Sequence, residues 1–196
     1  AIRSALEAVI AGKPAKLVYG RDEDVRVTGK RHDFQISYDV GFTNDGKILA
    51  LNVEQFLRCG MSFDLSAAIA DRAMMHAENA YFVPDMRVTA SLCKTHTPSN
   101  TAFRGFGGPQ GIMGMERIID DVAATLGLDP LVIRQRNFYP DKGTSESGKP
   151  TPYGQPVTDC VIGQLVDRLS RGAHYQTRRL EIIKWNKDNP VLRRGI

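Results

Sequence analysis

Cysteine is scarce in this chain, and its three cysteines, Cys59, Cys93 and Cys160, stand far apart. An odd, scattered set implies no disulfide framework and points to a reducing compartment, the cytoplasm. Cys93-Lys94-Thr95-His96 has a ligand-like spacing, but no second pair completes a zinc site. No apolar run approaches the roughly 20 residues that span a bilayer, so no membrane association is expected. The first residues, Ala1-Ile2-Arg3-Ser4-Ala5-Leu6-Glu7-Ala8-Val9-Ile10, lack the long apolar centre of a signal peptide. They read as the inside of an amphipathic helix, as in an internal piece of a longer protein. There is no Walker loop, no Gly-x-Gly-x-x-Gly, no persuasive Ser/His/Asp set and no carboxylate pair that pattern marks as acid and base. A complete enzyme is therefore not visible in these residues.

What is present describes an ordinary globular chain. Apolar residues make up 42% of the 196 and charged residues 24%, enough for a sizeable core. The net charge of +4 is uneven. From Arg171 to Ile196 there are seven Lys or Arg against Glu181 and Asp188. Residues 1–170 read as one unit, and 171–196 as a basic helical tail that continues into a downstream segment. Such a tail can meet nucleic acid or an acidic surface, or it can be a solvated helix face that docks on a neighbour. No aromatic interleaving or nucleic-acid motif accompanies the charge, so nucleic acid is not the expected partner.

Periodicity predicts an α+β fold. Residues 1–12 read as a helix stopped at Gly12-Lys13-Pro14, and 15–20 as a short strand. Phe34, Ile36, Tyr38, Val40 and Phe42 alternate with polar residues, and Asn44-Asp45-Gly46 leads into a second run over 48–56. That pattern predicts a β-hairpin. Residues 86–93 predict another strand, and 65–80 a helix with Leu65, Ile69, Ala73 and His76 on one face. After Pro109, Ile112, Met115, Ile119, Val122 and Leu126 mark a helix of about 17 residues, stopped by Gly127. Asp129-Pro130 supplies a cap and first residue for a helix ending near Asn137. A long loop over 140–157 follows, then helices capped by Thr158 through about Ser170 and over 174–188. The expected architecture is a small mixed or antiparallel sheet carrying the hairpin, packed against several helices.

The chemistry concentrates in Thr101-Ala102-Phe103-Arg104-Gly105-Phe106-Gly107-Gly108-Pro109-Gln110. One cation stands between two aromatic rings, followed by glycines and a proline suited to open a helix. A helix start offers unpaired N–H groups and partial positive charge, and glycines let backbone amides approach a ligand. Arg104 can hold a phosphate or carboxylate bidentately. Phe106 can stack on a planar ring, while a core role stays open for both Phe103 and Phe106. Arg72, beside Asp71 in a small-residue helical stretch, reads from its neighbours as a surface residue.

The run from Leu92-Cys93-Lys94-Thr95-His96-Thr97-Pro98-Ser99-Asn100 through Phe103-Arg104-Gly105-Phe106-Gly107-Gly108-Pro109-Gln110 resembles the molybdenum-cofactor-binding large subunit of the xanthine dehydrogenase and aldehyde oxidase family, in its bacterial form. Tyr19-Gly20-Arg21-Asp22-Glu23-Asp24 through Gly29-Lys30-Arg31-His32, and Asn137-Phe138-Tyr139, follow the same order. The resemblance implies a fragment of a larger molybdopterin-binding domain. It implies hydroxylation of an electron-poor carbon of a purine such as xanthine or hypoxanthine, with oxygen from water, and a role in purine catabolism. Related members hydroxylate aldehydes or N-heterocycles instead, and a non-catalytic anion- or nucleic-acid-binding module is the alternative of a different class. Iron–sulfur clusters and FAD belong to other domains or subunits, which are the expected partners. By the same resemblance Arg72 orients a purine and stabilises charge building on its ring. Phe106 stacks on that substrate, and Phe103, Arg104 and Gly105 line the cofactor end. No residue here is expected to ligate the metal directly. The family's general-base glutamate falls beyond Ile196, so the chain is not expected to catalyse alone.

Overall fold

The structure, a computed structural model, describes residues 2–196. Among the described residues the order is α1 (Ile2–Ala11), α2 (Arg21–Val27), β1 (Phe34–Phe42), β2 (Ile48–Gly60), α3 (Ser66–Met75), β3 (Asp85–Lys94), α4 (Gly108–Leu126), α5 (Pro130–Asn137), α6 (Ile162–Gly172) and α7 (Tyr175–Asp188). The hairpin forms as its alternation requires, with β1 antiparallel to β2 and Phe34 opposite Leu57. β3 lies on the other side of β2 and runs parallel to it, Val53 beside Val88. A parallel neighbour needs a crossover, and α3 with the turns after it provides one. The sheet is therefore mixed, and the α+β expectation holds.

Helices cover one face of the sheet. Leu51 and Val53 of β2 meet Met115, Ile118, Ile119 and Val122 of α4, with Tyr81 and Ile133 completing a fully buried cluster. Each such side chain contributes roughly 1.5–3 kcal/mol by leaving water. A polar knot closes this half of the molecule. Glu116 accepts from Tyr81 Oη at 2.6 Å, Asn79 Nδ2 at 2.8 Å and Arg134 Nη2 at 2.6 Å. Burial, then the Glu116 carboxylate, raises the Tyr81 hydroxyl well above its ordinary range, so it stays a donor. Asn137 fastens the hairpin: its Oδ1 accepts from Ile48 N, and its Nδ2 donates to Gly46 O. A smaller cluster, Leu57, Cys59, Ile69 and Ala70, lies toward the other end of β2, with Phe34, Ala90 and Phe106 packed on it.

The caps follow the chain's own chemistry. Gly127 ends α4 at φ +65°, and Asp129 Oδ1 caps α5 by accepting from Leu131 N at 2.9 Å. The same Asp129 accepts from Tyr175 Oη at 2.9 Å and pairs with Arg179 at 2.8 Å, which ties α7 to the start of α5. Arg194 lies 3.5 Å over the Trp185 ring, and Arg193 donates to Asn186 O. Several cations of the basic tail are thus engaged within the chain.

Three local expectations need correction, and one helix, α2, was not anticipated. Residues 15–20 are not a strand; the three-stranded sheet has no place for them, and Val18 is exposed. A short apolar run becomes a strand only where an edge is available to pair with it. Residues 21–27 form α2, which lacks an apolar stripe but carries Asp22, Glu23 and Asp24 in its first turn, where the helix dipole favours acids. The helix predicted over 65–80 stops at Met75, and Asn79 turns left-handed at φ +53° so that the chain can reach β3. Thr158 caps nothing: α6 starts at Ile162 after Val161.

Candidate functional site

β2 and β3 end side by side, at Gly60 and Lys94, because they are parallel. The segments leaving those ends, 61–65 and 95–107, therefore emerge at one edge of the sheet. In parallel sheets this carboxyl edge is where ligand crevices form. Hydrogen bonds bind the two segments together: Met61 N donates to Thr97 O at 3.0 Å, Ser62 N to Ser99 Oγ at 3.1 Å, and Thr101 Oγ1 to Asp64 Oδ1 at 2.7 Å. The first segment leads into α3, which carries Arg72; the second leads through Phe103 and Arg104 into α4.

The loop is a tight, strained turn. Gly105 and Gly107 both stand at φ +94°, and between them Phe106 takes φ +53°, a left-handed conformation that costs a side-chain-bearing residue roughly 1–2 kcal/mol. Two turn bonds hold it, Phe106 N to Phe103 O at 2.8 Å and Gly108 N to Gly105 O at 3.0 Å. Phe106 is half-buried on the small cluster beside Ile69 and Ala70. Phe103 remains 57% exposed, and the Arg104 side chain is exposed.

The glycines serve a purpose the sequence did not show. A Cβ at Gly107 would collide with the Ile69 carbonyl, and one at Gly111 with the Ala73 carbonyl. Their bare backbones let α4 press against α3, so they face a helix rather than a ligand. That contact sets the Ile69–Ala73 turn of α3, the turn that carries Arg72, against Gly107 at the end of the Phe103–Phe106 loop. Arg72 points away from the core: Ile69, Ala70 and Ala73 are buried, whereas Asp71 and Arg72 are exposed.

A second layer, unmarked in the sequence, supports the loop. Lys30 O accepts from Thr101 N at 3.0 Å, and His32 O accepts from Gln110 Nε2 at 3.1 Å. Arg31 Nη2 donates to Arg104 O at 2.6 Å, and its guanidinium carbon lies 4.3 Å from the Phe103 ring centre. His32 Nε2 meets the buried Ser66 Oγ at 2.7 Å, at the first turn of α3. Burial pushes the His32 imidazole below its ordinary value, against the pull of Asp64 and Asp33. Contacts of this kind join residues 73 or 78 apart, which no local pattern announces.

The residues can be tested against an anionic, hydrogen-bonding group. Among the described residues, Arg31 Nη1 is a shielded donor without a partner, and Gln110 Oε1 a shielded acceptor without one. Arg104, exposed at the turn, adds positive charge with no carboxylate recorded against it among the described residues. The free cation of Arg104 and the open acceptor of Gln110 fit a phosphate-bearing pterin, with Arg31 backing the turn from beneath. No group of three His, Cys, Asp or Glu among the described residues is placed to hold a metal ion. A concavity of about 460 Å³ lies on the uncovered sheet face by Asp39, Asn52 and Arg87, where the open sheet accounts for it.

The molybdopterin cofactor-binding domain family matches residues 1–138. This chain belongs to that family. The xanthine dehydrogenase of Drosophila subobscura is 42% identical over 196 residues, covering 100% of this chain and 14% of the relative. The xanthine dehydrogenase/oxidase of Mus musculus is 41% identical over 192 residues, covering 98% and 14%. The chain thus spans about one seventh of the length of these relatives. Among solved structures, the aldehyde oxidoreductase from Desulfovibrio gigas superposes with a TM-score of 0.78 at 26% identity, over 92% of this chain and 19% of that one. Quinoline 2-oxidoreductase from Pseudomonas putida 86 shares the fold, with a TM-score of 0.77 at 20% identity over 95% and 24%. The expected fold, family and molybdopterin cofactor hold. No helix of the described residues is long and apolar enough to cross a membrane.

Proposed function

We propose that this chain forms one wall of the active site of a cytoplasmic molybdenum hydroxylase that oxidises xanthine or hypoxanthine. One observation carries the reading: Arg72, exposed on α3, shares a helix turn with the glycine contact that seats the Phe103–Phe106 loop. A planar substrate between them meets a ring on one side and a cation at its edge. Phe106 stacks on the purine, an arrangement worth about 0.5–1.5 kcal/mol beyond burial. Arg72 donates to a purine oxygen and stabilises negative charge as it builds on the ring. Phe103, Arg104 and Gly105 line the cofactor end. When bound, the molybdenum cofactor supplies the oxidising centre for the water-derived oxygen transfer. Iron–sulfur and FAD domains elsewhere in the enzyme carry the electrons away. Residues 1–170 belong to the cofactor-binding unit, and 171–196 lead on from it.

The relatives at about 40% identity, named xanthine dehydrogenase, support the purine reading. A second reading, an aldehyde hydroxylase, draws on the likeness to an aldehyde oxidoreductase at 26% identity. Substrate range of the full-length enzyme decides between them. Steady turnover of xanthine, well above that of aromatic aldehydes, is the expected outcome; aldehyde turnover with none on xanthine overturns it.

A further inference from the structure

We propose that Arg31 is a positioning residue for this site, acting through the Phe103–Gly105 turn; the inference rests on the cofactor-side reading of that turn. Arg31 touches the turn in three ways. Its Nη2 holds the Arg104 carbonyl at 2.6 Å. Its guanidinium plane covers the Phe103 ring, with Cζ 4.3 Å from the ring centre. Its Nη1 lies 3.9 Å from where a Gly105 Cβ would stand. One planar group therefore fixes a carbonyl direction, a ring orientation and the floor beneath a glycine. These are the same three residues that line the cofactor end in the proposed function.

Arginine suits this task in a way lysine does not. A rigid fork can stack on a ring and donate sideways at once, whereas an ammonium can do only one of these well. Arg31 is itself anchored on both sides. Lys30 O takes the Thr101 N–H, and His32 O takes the Gln110 side chain at the start of α4. His32 in turn bonds Ser66 at the start of α3, the helix of Arg72. The short segment before β1 thereby links α3, α4 and the turn between β3 and α4. Every contact of Arg31 falls on the turn itself, so it acts by holding the wall in shape.

The test uses the full-length, cofactor-loaded enzyme with Arg31→Met and Arg31→Lys. Each is assayed for molybdenum content, for circular dichroism of the bound cofactor, and for kcat and KM on xanthine and on an aldehyde. Small displacements of a catalytic wall cost up to about 100-fold in rate. Arg31→Met should lower kcat about 10-fold or more on both substrates, with KM changed less than about twofold, and should alter the cofactor's dichroism. Arg31→Lys should lose about threefold in kcat, since it keeps charge and one donor but not the fork. Wild-type kcat and dichroism in loaded Arg31→Met overturn the proposal. If that variant does not accumulate, Arg31→Lys decides, and wild-type values from it overturn the proposal equally. Because the expected loss falls on both substrates alike, an error in the purine assignment would leave this result unchanged.

Discussion

The two ends of the sheet are built on different principles. Around Met115, Ile119, Val122, Tyr81 and Ile133 the chain satisfies itself: apolar side chains are fully buried, and the Glu116 knot pairs every polar group it brings inside. At the carboxyl end of β2 and β3 the cluster is small, Phe103 and Phe63 lie exposed, and Arg31, His32, Arg58 and Gln110 hold shielded polar atoms without partners. Buried polar atoms are normally paired, and leaving one unpaired costs roughly 1–3 kcal/mol. Shielded atoms without partners also occur at Asn52, Gln55, Tyr139 and Trp185, so what sets the second end apart is that four such residues gather around one exposed loop.

The largest change expected from breaking this contrast lies in the self-sufficient half. Ile119→Ala should cost about 3–4 kcal/mol, because Ile119 is fully buried in the main cluster and a cavity cannot close there. Thermal melting of the full enzyme would show a lowered Tm, while KM for xanthine stays within about twofold, since no site residue moves. A changed KM with an unchanged Tm would abolish the division into scaffold and site.

Phe106→Ala probes the other half. It removes a ring from the small cluster and from the open wall together. KM for a planar substrate should rise about fivefold, consistent with a stacking worth about 0.5–1.5 kcal/mol. A lowered Tm with unaltered KM would assign the ring to the core alone.

The smallest expected effect is a pH dependence at the joint between the halves. His32 is buried with its pKa lowered mainly by burial, so the folded state prefers the neutral ring. The unfolded chain binds a proton below its ordinary value of 6.5, so the contribution of His32 is present above that value. It is lost as pH falls from there through the lowered native value. Wild-type Tm should drop more than that of His32→Gln between about pH 8 and about pH 5.5. Parallel curves for the two proteins would remove His32 as the source.

Much of the scaffold was legible because local signals and tertiary demands agree there. Alternation over Phe34–Phe42, the Asp45-Gly46 turn, the stop at Gly127 and the Asp129 cap each require only a few neighbouring residues, and each appears as read. The parallel pairing of β3 with β2 was left open, because orientation depends on the crossover rather than on either strand's pattern. The glycines illustrate the opposite case. Gly107 was read as making room for a ligand, yet it makes room for the Ile69 carbonyl of α3, as Gly111 does for that of Ala73. Arg72 was a surface residue by its neighbours and a site candidate only by family resemblance. The contact of its helix turn with Gly107 is one that sequence spacing cannot show. Arg31 escaped notice for the same reason, its partner standing 73 residues away.

The central claim is that Arg72 and the Phe106 ring make one purine-binding wall. Its most direct test is kcat/KM for xanthine and for an aromatic aldehyde in the full-length enzyme, wild type against Arg72→Met. Loss of a preorganised charge-stabilising donor costs about 100- to 1,000-fold. The account predicts a loss of that order on xanthine with less than about tenfold on the aldehyde. Equal losses on both substrates would contradict it.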